Sequence, residues 1–275
     1  MRLATLRTSE GTRAVRVDDG VLVDLGAADL GEFLAIPHWA EAAETAAGET
    51  HPLEGAEFAT LVPAPSKVVC VGLNYRNHIQ EMGRPLPDYP TLFTKFADTL
   101  IGPADHIVRP AETAQFDWEA ELTIVIGRRV RRARGTEAET AIAGFTILND
   151  ITCRDWQFRT REWMQGKNWD SSTPVGPVMV TPDELGGVRP ALAISTEVDG
   201  QVMQSDNTGD LLFDPVALVE YVSTVIRLNP GDLIATGTPG GVGHARKPPV
   251  YLEAGQRVVC TIEGIGSLNN LVVAG

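Results

Sequence analysis

Long apolar runs are missing from this chain: no stretch approaches the roughly 18 to 20 residues that a membrane helix needs. The opening segment Met1 to Arg7 also lacks the apolar core of a signal peptide. A cytoplasmic protein with no membrane partner is therefore expected. Basic residues are scarce too, with 23 Lys and Arg against 36 Asp and Glu, a formal net charge of −13. A field of that sign repels phosphate backbones and argues against nucleic acid as a partner. Cysteine is limited to Cys70, Cys153 and Cys260, an odd number with no Cys-x-x-Cys spacing, so zinc and dithiol redox chemistry drop out. Cys70 and Cys260 sit in apolar runs and read as small buried thiols. No internal repeat is visible.

What the chain does have is enough apolar material for a core: 275 residues, 43% hydrophobic, suit one main domain with a small appendage. Short strands are expected over Arg2 to Arg7, Thr12 to Val17 and Val21 to Asp24, the last two joined at Asp18-Asp19-Gly20. A helix rich in Ala and Glu follows over Trp39 to Ala47. Pro63-Ala64-Pro65 marks a boundary between a small N-terminal α+β domain, residues 1–64, and a larger domain, residues 65–275. The larger domain alternates apolar runs of strand length with turn clusters, among them Glu119 to Gly127, Ala143 to Asp150, Ala193 to Val198 and Leu233 to Thr236. One helix is well marked, with Asp214 as cap, Pro215 at its first position, and Val216, Val219, Val222 and Ile226 at helical spacing. Asp199-Gly200 is a hairpin signal. The basic run Arg128 to Arg134 reads as a solvated strand end or loop. The fold class is mainly β with α.

Acidic residues then stand out at the mouth of an apolar strand, in Asp117-Trp118-Glu119-Ala120-Glu121 before Leu122 to Ile126. Residues two apart on a strand face the same way, about 6.5 to 7 Å apart at the backbone, so Glu119 and Glu121 can converge on one ion. Pointing outward, they would be an ordinary solvated pair. Asp150 ends a second apolar run, Gly144 to Asn149, and brings a third carboxylate to a strand end. Three oxygen ligands suit Mg²⁺, Mn²⁺ or Ca²⁺ and leave coordination positions for water or a substrate. His78 and Glu81, three apart, would share a helix face, either as an acid–base dyad or as a surface pair.

These motifs, Val71-Gly72-Leu73-Asn74-Tyr75, His78 with Glu81, Asp117 to Leu122, Asn149-Asp150, Lys167 and Thr236-Gly237-Thr238-Pro239, resemble the fumarylacetoacetate hydrolase family from about Lys67 to Val273. The first 60 or so residues look like the variable N-terminal domain of its bacterial members, the acylpyruvase and 2-hydroxyhepta-2,4-diene-1,7-dioate isomerase type. The resemblance implies a mixed β-sandwich roll, a homodimer, and one Mg²⁺ or Mn²⁺ per subunit on Glu119, Glu121 and Asp150, with Ca²⁺ a substitute in a crystal. It implies that His78 and Glu81 activate water from a lid, that Lys167 acts beside the substrate's oxygens, and that Lys95, Arg154, Asp155, Gln157 and Thr238 bind substrate. Arg161, Trp163, Gln165 and Trp169, around Lys167, either size the pocket or make packing or dimer contacts. The glycine-rich loop Gly237 to Gly243 lacks the ending of a phosphate loop and reads as close backbone approach to a substrate. His244 beside it reads as an ordinary loop histidine.

The function this implies is a C–C bond hydrolase, in aromatic-compound catabolism, acting on a small 2-oxo acid: an acylpyruvate such as fumarylpyruvate is cleaved to leave a pyruvate enolate. Isomerisation, hydration or oxaloacetate decarboxylation on a related diacid needs the same enol. A non-catalytic, metal-stabilised binding module is the reading from a different class.

Overall fold

Alternation along one strand organises the molecule. In Ala120–Ile126 the side chains of Ala120, Leu122, Ile124 and Ile126 turn to one apolar cluster, and Val125 turns to a second on the opposite face. The structure is a computed structural model that describes every residue of the chain except Met82 and Arg84; the side chain of Glu81 also lies outside the description.

Ala120–Ile126 pairs antiparallel with Ile142–Asn149, placing Ala120 opposite Asn149 and Glu121 opposite Leu148. Its other neighbour is Leu233–Ala235, which runs parallel to Val68–Gly72, and Thr91–Lys95 closes that edge. Beyond Ile142–Asn149 lies Thr173–Val180. The N-terminal residues continue the same eleven-stranded sheet: Arg2–Thr8 pairs with Thr173–Val180 through Arg2 opposite Val180 and Leu3 opposite Met179. Gly11–Asp18, Val21–Asp24 and Thr50–Pro52 follow outward. Leu3, Leu30, Phe33 and Leu61 share an apolar cluster with Val68, Val125 and Leu148, so residues 1–64 extend the main sheet and its core.

A five-stranded second sheet, Gln201–Asn207, Ala193–Val198, Arg257–Ile262, Gly266–Ala274 and Ile107–Arg109, packs against the first. Val258, Cys260, Leu268 and Val272 meet Leu122, Ile124, Phe145 and Ile147 in the shared core. This is the α+β, mainly β sandwich expected. The hairpin at Asp199-Gly200 has φ of 49° and 79°, the positive pair that a two-residue turn of its twist requires. The helix Pro215–Val225 is capped by Asp214, whose Oδ1 accepts from Val216 and Ala217 N–H at 2.9 and 3.0 Å. Ile226 ends this helix and is exposed, whereas Val216, Val219 and Val222 are buried. The basic run is more than a solvated loop: Arg131 Nη1 donates to Ser223 O and Thr224 O, carbonyls of that helix's last turn. Among the described residues no helix is long and apolar enough to cross a membrane.

Candidate active site

Two backbone contacts bring the acidic positions together. Asp150 N–H donates to Glu119 O at 2.8 Å, and Glu119 N–H donates to Asn149 Oδ1 at 3.0 Å, so the start of one strand is tied to the end of its neighbour. Glu119, Glu121 and Asp150 are all buried, and one oxygen of each lies within 4.8 Å of the others. The inward arrangement of Glu119 and Glu121 is thus the one formed.

Cations surround two of the three. Lys167 Nζ bridges Glu119 Oε2 at 2.8 Å and Asp150 Oδ2 at 2.6 Å. Arg154 Nη2 meets Glu119 Oε1 at 2.6 Å, and Arg154 Nε donates to Asp117 Oδ2 at 2.8 Å. Burial works against every charge here. It is overcome at Asp150, whose carboxyl is held below the usual carboxylate range by Lys167 and Lys95. Lys167 is raised despite its burial by Asp150 and Glu119. Glu121 differs: burial, then repulsion from Asp150 and Glu119, pushes its carboxyl well above the ordinary value, against the pull of Lys167 and a 2.7 Å hydrogen bond from Gly237 N–H. Gly237 has φ of +100°, and a Cβ there would lie 2.9 Å from Val71 O, so glycine is what lets this amide reach Glu121.

A divalent cation fits this donor set. Each carboxylate offers about four lone-pair positions, and the contacts above leave some unused on all three. Hard oxygen donors suit Mg²⁺ or Mn²⁺. Four carboxylates, those of Asp117, Glu119, Glu121 and Asp150, face three cationic side chains, Lys95, Lys167 and Arg154, so the cluster lacks positive charge where Glu121 sits.

This cluster borders a cleft of ≈ 150 Å³, with Asp117, Asp150 and Lys95 buried behind the lining side chains. Glu119, Glu121, Arg154, Gln157, Lys167 and Thr238 line it, together with His78 from the helix Arg76–Glu81. Arg76 anchors that helix by donating to Leu211 O at 2.6 Å. Glu81, named as the partner of His78, has its side chain outside the described residues. Trp163 forms an apolar wall with Phe93, ring centroids 5.4 Å apart, over Gly72. A Cβ on Gly72 would come within 2.4 Å of the Trp163 ring. Trp169 instead packs on Trp156 at 5.1 Å, so the aromatics around Lys167 divide between pocket wall and packing.

Two expected substrate ligands are placed elsewhere. Lys95 is not among the cleft-lining residues: its ammonium is spent on Asp150 Oδ1 at 2.8 Å, Ile151 O at 3.2 Å and Lys167 O at 2.5 Å, which uses its three donors. Asp155 accepts from Thr113 Oγ1 at 2.5 Å and Ala114 N–H at 3.1 Å, which turns it onto the preceding loop. Arg154 and Gln157, three apart on one helical turn, share a face and meet at 3.0 Å; Asp155 is rotated away from it. His244, read as an ordinary loop residue, lines the cleft, with Nδ1 3.0 Å from Tyr251 Oη and its ring against Phe158. Burial, then the nearby Arg154, lowers its pKa against the pull of Asp117. Asp117 is the other residue unforeseen in its role: it holds Arg154 and accepts from Gly243 and His244 N–H at 2.7 and 3.0 Å.

The model of the fumarylacetoacetate (FAA) hydrolase C-terminal family matches residues 67–273. The mitochondrial oxaloacetate tautomerase FAHD2A of Bos taurus is 44% identical over 218 residues, covering 78% of this chain and 69% of that protein. Among solved structures, the 5-carboxymethyl-2-hydroxymuconate delta-isomerase from Mycobacterium smegmatis superposes with a TM-score of 0.83 at 36% identity, covering 100% of this chain and 99% of that one. The fumarylacetoacetate hydrolase from Exiguobacterium antarcticum gives a TM-score of 0.88 at 34% identity, with 100% of both chains covered.

Proposed function

This chain belongs to the fumarylacetoacetate hydrolase family, a family of enzymes, and on that premise we propose that it interconverts the keto and enol forms of a small 2-oxo diacid of the oxaloacetate class. The observation that carries this reading is the juxtaposition of Glu119 and Glu121 with Lys167 and Arg154 on the wall of one cleft, with the carboxylate of Asp150 buried directly behind them. Glu119, Glu121 and Asp150 would hold a divalent cation, which would supply Lewis-acid stabilisation of the negative charge on the substrate's 2-oxo oxygen.

The chain's own residues do the rest. Lys167 sits between Glu119 and Asp150, where its ammonium favours a second anionic oxygen in the cleft. Arg154 and Gln157 add donors on one wall, and Thr238 adds a hydroxyl on another. Phe93 and Trp163 exclude water from one side, which strengthens each of these contacts. Of the two imidazoles that line the cleft, His78 and His244, we assign the proton transfer to His78, which takes the proton from the carbon next to the carbonyl and returns it on the reverse step. The names of the bovine relative and the mycobacterial neighbour, a tautomerase and an isomerase, support enol chemistry of this type.

A second reading is hydrolysis of an acylpyruvate, in which His78 takes the proton from water; the position of His78 on the cleft wall supports it equally. One assay separates the two. Pure protein is given oxaloacetate and fumarylpyruvate, each with Mg²⁺ or with chelator, while enol absorbance and released pyruvate are followed. Metal-dependent equilibration of oxaloacetate without pyruvate supports tautomerisation, and pyruvate from fumarylpyruvate supports hydrolysis. Turnover unaffected by chelator would overturn both.

A further inference from the structure

A residue outside the cleft controls the polarity of one of its walls. Gln204, on the second-sheet strand Gln201–Asn207, is 1% exposed and has all its amide positions engaged. Its Oε1 accepts from Ala120 N–H at 3.1 Å and from the Thr196 hydroxyl at 2.7 Å. Its Nε2 donates to Thr238 Oγ1 at 2.8 Å and to Pro239 O at 3.0 Å. The orientation is forced, because a backbone N–H only donates and a carbonyl only accepts. A flipped amide would set N–H against N–H at Ala120 and C=O against C=O at Pro239.

We propose that Gln204 is a positioning residue that holds the Thr238 hydroxyl as a hydrogen-bond donor toward the cleft, so that this wall selects an acceptor oxygen of the substrate, such as that of a carboxylate. A hydroxyl has one hydrogen. With Gln204 Nε2 donating to Thr238 Oγ1, that hydrogen is turned away from Gln204, and Thr238 lines the cleft. Gln157 repeats the logic on the other wall, since Arg154 Nη1 takes its Oε1 at 3.0 Å and leaves its N–H pair as the free function. Ala120, the other end of the Gln204 link, lies between Glu119 and Glu121, so one buried amide couples the carboxylate segment to the substrate loop. A ligand presenting a donor there, such as an amide or an alcohol in place of the carboxylate, leaves donor facing donor, an unpaired arrangement that a desolvated site penalises strongly.

The inference rests on the cleft binding a 2-oxo acid, and its test has two arms that fail separately. In the kinetic arm, Thr238→Val and Gln204→Met are each expected to raise KM for oxaloacetate about tenfold, with kcat within about twofold, the signature of a lost neutral hydrogen bond. The double variant is expected to be no worse than about tenfold, because both changes remove one contact. Thr238→Ser should restore KM, and Mg²⁺ affinity should stay within about twofold of wild type in all. An additive double variant, about a hundredfold worse, or an unchanged KM in Gln204→Met, overturns the proposal. The second arm needs no Gln204 variant to fold and no turnover: the side-chain amide protons of Gln204, assigned by NMR through their contacts to the Thr196 and Thr238 methyls, should be protected from exchange in wild type. They should shift and lose protection in Thr238→Val, and identical behaviour in the two proteins overturns the proposal. If wild type turns over no 2-oxo acid, the proposed function fails while this second arm still judges Gln204.

Discussion

Glu121→Gln should move stability in opposite directions with and without metal. Two like charges 4.8 Å apart repel by about 3.5 kcal/mol at an effective dielectric of about 20. Glu119 and Asp150 are both paired with Lys167, which offsets part of this, whereas at Glu121 the pull of Lys167 and the Gly237 amide is outweighed by burial and by the two neighbouring carboxylates. A Gln is isosteric: its Oε1 can accept from Gly237 and its amide can donate to the neighbouring carboxylates. Removing the charge should therefore stabilise the metal-free protein by about 2 kcal/mol, or about 4 to 8 °C in Tm for a chain of this size. With Mg²⁺ at about 100 times Kd, wild type should gain about 2.7 kcal/mol, or about 5 to 10 °C, and the variant should gain almost nothing. The sign with pH is set too. A carboxyl whose folded pKa is raised costs no stability below its unfolded value of about 4.3 and costs more as pH rises toward the folded one. Metal-free wild type should thus lose ground to Glu121→Gln as pH rises above the unfolded value. Differential scanning calorimetry with chelator and with Mg²⁺ reads both effects. A metal-free variant that melts below wild type, or a variant that keeps the full Mg²⁺ shift, would refute the reasoning.

Gly72→Ala should enlarge KM and lower Tm by several degrees, since its Cβ would lie 2.4 Å from the Trp163 ring, and Trp163→Leu in the same chain should recover most of the lost stability. Asp155→Asn should alter KM less than Gln157→Leu, because Asp155 is tied to Thr113 and Ala114 and Gln157 lines the cleft. At Asp105, burial pushes the carboxyl up, but the Arg7 pair and the Gly102 N–H overcome it and hold the pKa below the usual range. Its contribution to stability is present above the unfolded pKa of about 3.9 and is lost as pH falls through the lower folded value, so Asp105→Asn should flatten the acid end of a stability–pH curve. Burial raises the Cys153 and Cys260 thiols to about 12, so neither should react with a thiol reagent at pH 8 until the protein is unfolded.

Local periodicity made much of the site legible. A spacing of two on a strand put Glu119 and Glu121 on one side, and an apolar run ending in Asp150 put the third carboxylate at a strand end. The Asp214-Pro215 cap was equally readable, since Asp214 accepts from Val216 and Ala217, only two and three residues further on. Partners far apart in sequence were not. Lys95 looked like a substrate ligand, and only the folded chain shows its ammonium fully occupied behind Asp150. Asp155 shared a segment with Arg154 and Gln157, yet a turn of helix sends neighbours in different directions. The role of Gln204 depends on Ala120, Thr196, Thr238 and Pro239, which three separate segments supply, so no spacing could announce it. The same holds for Arg2–Thr8 pairing with Thr173–Val180, which carries strands from before the boundary at Pro63-Ala64-Pro65 into the main sheet.

The measurement that bears most directly on the central claim is exchange of the C3 protons of oxaloacetate for deuterium, followed by NMR with pure protein. Exchange that is fast with Mg²⁺, stopped by chelator, and lost in both Glu121→Gln and His78→Ala is the predicted result. Exchange no faster than in buffer, or equally fast in all four conditions, would contradict a metal-assisted enolisation in the cleft beside the Glu119–Glu121–Asp150 cluster.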